Sequence, residues 1–198
     1  MTQKLRRLLF AFLTAAVLAL VPATSAHAMT PVFGHRYQNG VGNVVAWINY
    51  SSGAGNWQWY ITNATNNWMY PGWSNPIYVN YVSSNVGSNL DFHSNNDAYF
   101  GGGMTIIAWT TFFSSTGAPL DPTLSDWYYA EVHINNDVYS SPSISNDMAL
   151  GTTIHEVGHA LGLAHYNSNP YSIMCQTSYG RVVQRVQQVD NDSILYLY

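Results

Sequence analysis

Between Thr153 and His165 the chain reads TIHEVGHALGLAH, three histidines and a glutamate set among apolar residues and glycines. The stretch continues from Ser145, Asn146 and Asp147, residue types that open helices by accepting from the free N–H groups of a first turn. A long helix ending at Gly162 is predicted, and its apolar make-up requires it to be buried. Ionisable groups on a buried helix are costly unless they are paired or ligate a metal. This helix carries one of only two glutamates in the chain and three of its seven histidines with the turn that follows, so the fold has to be organised around them.

His155 and His159 are four residues apart, which puts both on one helix face about 5–6 Å from each other. Imidazoles so placed reach a single Zn²⁺ at roughly 2.0–2.1 Å. Glu156 lies one position round, where its carboxylate reaches a water rather than the ion, the place of a general base. Gly162 permits a backbone turn that a β-carbon would resist, and the turn brings His165 back as a third nitrogen ligand. Three protein ligands leave a position open for water, the pattern of catalytic zinc; structural sites close all four positions and favour thiolates. The blander readings are satisfied core histidines or a structural metal helix. With this composition, H-E-x-x-H arises by chance roughly 0.002 times per chain, before the glycine and third histidine are counted.

The N-terminus has a separate purpose. Lys4, Arg6 and Arg7 precede a 14-residue apolar run, Leu8–Val21, and Ala26–Ala28 supplies small residues for cleavage. That is the layout of a secretory signal peptide, and the run is too short to span a bilayer comfortably. Removing residues 1–28 leaves one domain of 170 residues with three arginines, no lysine and ten acids, a formal charge of −7. Such a surface gives no footing for nucleic acid or anionic lipid. A secreted, extracellular monomer without stable membrane association is expected. Cys175 is the only cysteine, so no internal disulfide is available and burial of many aromatics must stabilise the fold. The thiol itself reads as a small buried hydrophobe.

Along the chain, residues 29–43 read as an irregular lead-in. Val44–Tyr50 reads as a strand, and a helix over 56–70 follows from the spacing of Trp59, Ile61, Ala64 and Trp68, stopped by Pro71-Gly72. Strands are predicted at Ile77–Ser84, Leu90–Ser94, Thr105–Phe113 and Ala130–Asn136. The tail from Val182 is partly helical, with a start at Asn191 or Asp192. Strands followed by helices imply an α/β or α+β domain on one twisted sheet.

HEVGHALGLAH resembles the H-E-x-x-H-x-x-G-x-x-H signature of the metzincin endopeptidases, and Met174 in YSIMCQ stands where that family carries its Met-turn. AEVHINND and the closing VDNDSILYLY bring the likeness closest to the matrixins, over most of residues 44–198. The resemblance implies zinc on His155, His159 and His165, Glu156 as base, and Met174 beneath the metal. It implies a twisted, mostly parallel five-stranded sheet on the active-site helix, with a small C-terminal subdomain ending in a helix. Substrate would add as a strand to an antiparallel edge, for which Met104–Phe113 is the candidate. Tyr179 lies one position beyond the usual pocket-wall tyrosine and is the candidate for that wall. Asp121, Asp126, Asp137 and His133 are candidates for a structural Ca²⁺. These readings predict a secreted zinc endopeptidase acting on internal bonds of polypeptides, with an apolar residue preferred after the cut. The alternative is an inactive binding or surface protein on the same fold, against which the intact Glu156 argues.

Overall fold

The alternation of apolar and polar residues in Ile77–Ser84 and Ala130–Asn136 requires a sheet with a dry face, and the one long helix requires that face as its cover. A computed structural model describes residues 29–198, so the signal-peptide expectation lies outside the described residues. The strands are β1 (Val44–Ile48), β2 (Val79–Val82), β3 (Leu90–Asn95), β4 (Ala108–Phe113), β5 (Pro119–Leu120) and β6 (Tyr129–Asn135). They form one sheet in the order β2-β1-β3-β6-β4-β5. The first four are mutually parallel, and β4 runs antiparallel to β6. The sheet has six strands where five were expected. The sixth is the two-residue β5, formed because the chain turns at Gly117 and folds back on Phe112 and Phe113.

The helices are α1 (Gln58–Met69), the single turn α2 (Asn136–Tyr139), α3 (Asn146–Ala160) and α4 (Gln188–Leu197). Ser145 caps α3 by accepting from the Met148 N–H. The helix is buried from Gly151 onward, with Ile154, Val157 and Ala160 fully covered. α1 packs beside it, and Trp68 donates its indole N–H to the Ile154 carbonyl at 2.9 Å. Trp127 does the same for Ala160 at 3.1 Å, so two large aromatics seal the helix and satisfy its carbonyls together. On β6, Val132 and Ile134 enter the core, while Glu131 and His133 lie on the opposite sheet face with His93 stacked on His133.

The lead-in is irregular but packed. Phe33 N–H donates to Gly162 O and Ala164 N–H to Pro31 O, tying residues 31–33 to the segment that leaves α3. Tyr37 and Val41 are buried in the core. α4 begins at Gln188, three residues ahead of the expected start, because Asp190 closes a capping box with Gln187. Among the described residues no helix is long and apolar enough to cross a membrane.

Candidate metal centre

α3 presents His155 and His159 on one face, and the chain turns back at Gly162, whose φ of +106° is open to glycine and strained for other residues. A β-carbon there would also stand 2.8 Å from Leu197. The turn delivers His165 to the first two histidines. One nitrogen from each ring lies within 4.8 Å of the other two. The Nε2 atoms of His159 and His165 are 3.0 Å apart. Ligands about 2.0–2.1 Å from a tetrahedral ion sit roughly 3.3 Å from each other, so the trio fits zinc.

The ring orientations are set from behind. His155 Nδ1 lies 2.8 Å from the Ile173 carbonyl and His159 Nδ1 2.7 Å from the Leu163 carbonyl. A carbonyl only accepts, so each Nδ1 carries the proton and each Nε2 keeps its lone pair for a metal. Burial and the neighbouring imidazole hold His155 well below the usual histidine range and His159 at about 3. Burial also lowers His165, which is the exposed member on the open side of the site. Three neutral imidazoles converging on one point are chemically a cation site.

Glu156 is buried, and burial raises its carboxyl to about 7, opposed by Thr110 and by Arg181. Thr110 Oγ1, from β4, lies 2.9 Å from both Glu156 Oε2 and the Glu156 backbone carbonyl, donating its proton to one of them. Met174 is fully buried, and a β-carbon on Gly158 would collide with its sulfur and stand 2.8 Å from Trp68. The glycine inside the motif is therefore what lets the helix sit down on the Met-turn. Cys175 is a free, buried thiol whose sulfur lies near the carbonyls of Gln176 and Tyr179, and burial pushes it up.

A chain of this geometry, two histidines one helical turn apart, a third returned past a glycine and a methionine turn beneath, is matched by the matrixin family model over residues 62–198. The chain belongs to the matrixin family. Comparison with curated proteins gives no match. The matrixins are zinc metallopeptidases by family, and in this matrixin the histidine trio is compatible with a zinc site.

Other candidate positions fall elsewhere. Tyr179 is 62% exposed and does not line the cavity beside Glu156; Thr177 and Ser178, just before it, do. Asp121 accepts from Thr123, Asp126 from Arg36, and Asp137 from the Asp97 N–H, while His133 contacts Glu131. Among the described residues His, Cys, Asp and Glu side chains converge in a group of three only at His155, His159 and His165, so a calcium site at these four positions is not shown. Two contributors were missed in the sequence. Thr110 looked like an ordinary strand threonine. Asp190, buried, accepts from Thr30, Ser172, the Ile173 N–H and the Gln187 N–H. The Ile173 carbonyl thus accepts from His155 while the Ile173 N–H donates to Asp190, a line from α4 to a zinc-compatible histidine. The sequence signal of Asp190 was its place in the closing motif VDNDSILYLY, where it is one of two acids in the terminal helix.

Proposed function

We propose that this matrixin is a secreted zinc-dependent endopeptidase that hydrolyses internal bonds of polypeptides. The observation that carries the reading is the convergence of His155, His159 and His165 beside a buried carboxylate and an unpaired strand edge. His155, His159 and His165 would hold the ion. When bound, zinc supplies a Lewis acid that polarises the scissile carbonyl and acidifies water.

The chain's residues do the rest. Glu156 takes the proton of the attacking water and hands it to the leaving amine. Its pKa near neutrality suits both halves of that transfer, and Thr110 holds the carboxylate while it happens. β5 pairs only with Phe112 and Phe113, so among the described residues the outer edge of Ala108–Thr111 is free to bind extended substrate backbone. An edge that pairs with backbone works anywhere along a chain, which supports internal cleavage. Secretion rests on residues 1–28 of the sequence, and the acidic composition supports a monomer without nucleic-acid or membrane partners.

The test is metal content and casein-type digestion for the wild type and Glu156→Gln. The variant is expected to retain zinc and lose about 10²–10⁴ in rate. Release of zinc by Glu156→Gln would make the residue a ligand. Wild-type activity that survives complete removal of metal by 1,10-phenanthroline would end the metallopeptidase reading.

A further inference from the structure

The cavity that Glu156 lines has a volume of about 190 Å³, somewhat above the roughly 150 Å³ that admits a benzene ring in an engineered core. Ile106, Ile107 and Ala108 give it an apolar wall. Gln176, Ser178 and Arg181 add polar lining, and Arg181 is the one cation among the lining residues. The lining is therefore mixed, where an apolar subsite after the cut was expected.

Arg181 is 8% exposed, yet among the described residues no carboxylate lies within salt-bridge distance of it. Its contacts are long and neutral. Nη1 lies 3.5 Å from the Ile173 carbonyl and 3.4 Å from that of Cys175, and Nη2 3.3 Å from Thr152 Oγ1. Nε has no partner. A buried guanidinium is normally paired with a carboxylate, whose two oxygens match its fork. Here the nearest candidate, Glu156, is engaged with Thr110 and bound up in the chemistry. An unfilled demand for an anion thus lines a cavity that is open to substrate.

We propose that Arg181 makes this cavity a subsite for a carboxylate, namely the side chain of a glutamate or aspartate immediately after the scissile bond. The inference rests on the endopeptidase reading. The side of the cut follows from Glu156: the group that delivers a proton to the leaving amine lines the cavity, so the residue bearing that amine is the one that enters. Atoms of the same chemistry also occur at a free C-terminus, and the test separates the two sources.

The experiment uses the zinc-loaded full chain and acetylated, amidated peptides that differ only in the residue after the cut, Glu, Gln or Leu. A fourth peptide ends there in a leucine with a free carboxylate. Hydrogen bonds to a charged partner predict a kcat/KM for Glu about 10- to 100-fold above Gln. Arg181→Met is expected to bring that ratio to about one, and Arg181→Lys to keep part of it. Calorimetric titration with the amidated Glu- and Gln-headed product peptides reads the same ratio without turnover. A wild-type ratio of one or less in binding and turnover sinks the proposal and leaves the peptidase reading intact. A ratio unchanged in Arg181→Met removes Arg181 from it. Glu-over-Gln binding with no cleavage of any peptide would keep the subsite and end the endopeptidase reading. Cleavage of the free-carboxylate peptide alone would overturn the internal side-chain assignment.

Discussion

Glu156→Gln should stabilise the metal-free protein, and by an amount that grows with pH. The carboxyl is moved from 4.5 to about 7, mainly by burial. A shift of that size corresponds to about 3 kcal/mol between protonated and ionised forms. The sign follows from linkage. An acid whose folded pKa is raised contributes stability below its unfolded pKa, and that contribution is lost as pH rises from 4.5 through 7. Glutamine resembles the neutral acid, can still accept from Thr110, and does not titrate. The variant should therefore exceed the wild type by between 1 and 2 kcal/mol at pH 5.5 and by about 3 kcal/mol at pH 8. For a domain of this size that is roughly 6–12 °C in Tm at pH 8. The depressed histidines act in the opposite direction, losing stability as pH falls below their unfolded value, but they are common to both proteins and cancel in the difference. Thermal melts of both chelated proteins across pH 5.5–8 are the assay. Zinc, by favouring the nearby carboxylate, should shrink the gap. A Tm difference that stays flat with pH, or a variant that melts lower at pH 8, would show that burial does not raise this carboxyl.

Two further substitutions probe the support of the metal site. Gly158→Ala drives a methyl into the Met174 sulfur and Trp68, and should cost about 1–3 kcal/mol with a matching loss of zinc affinity, measured by melting and chelator competition; an unaffected variant would mean that the Met-turn yields freely. Asp190→Asn turns an amide donor toward a site that needs four acceptor contacts, and should lower zinc affinity about 10- to 100-fold through Ile173 and His155. Unchanged zinc binding in a destabilised Asp190→Asn would confine the residue to packing.

The sequence was most readable where one local rule governed the outcome. The helix predicted at 56–70 is α1 at Gln58–Met69, stopped by Pro71-Gly72, and the histidine-bearing helix α3 starts at the Ser145 cap as expected. Ligand convergence was readable because i, i+4 spacing and a glycine turn fix it without distant help. The elements that were misjudged depend on partners far away in the chain. Strand β2 covers only Val79–Val82 of the predicted Ile77–Ser84, because pairing with the short β1 sets its length. The start of α4 moved because Asp190, one residue before the expected cap, reaches back to Gln187. The pocket wall shifted from Tyr179 to Thr177 and Ser178 because a short helical turn at Thr177–Tyr179 sends the tyrosine outward.

The roles of Asp190 and Thr110 were illegible for one reason, and Arg181, legible as the one cation able to reach the primed side, depends on the fold in the same way for its contacts. Each sits on an element remote in sequence from the histidines and acts through a contact that only the tertiary fold creates. In so charge-poor a chain, the lone buried charges are nonetheless informative once their partners are known. Among the described residues Asp190 has four donors and no cation, so it serves the backbone that positions His155. Glu156 has one donor and a cavity, so it is free to exchange a proton. Among the described residues Arg181 has only distant neutral acceptors and the same cavity, which is why the proposed subsite assigns it a substrate carboxylate. The number and kind of partners, rather than burial alone, separates a charge that supports the fold from one that acts on a ligand.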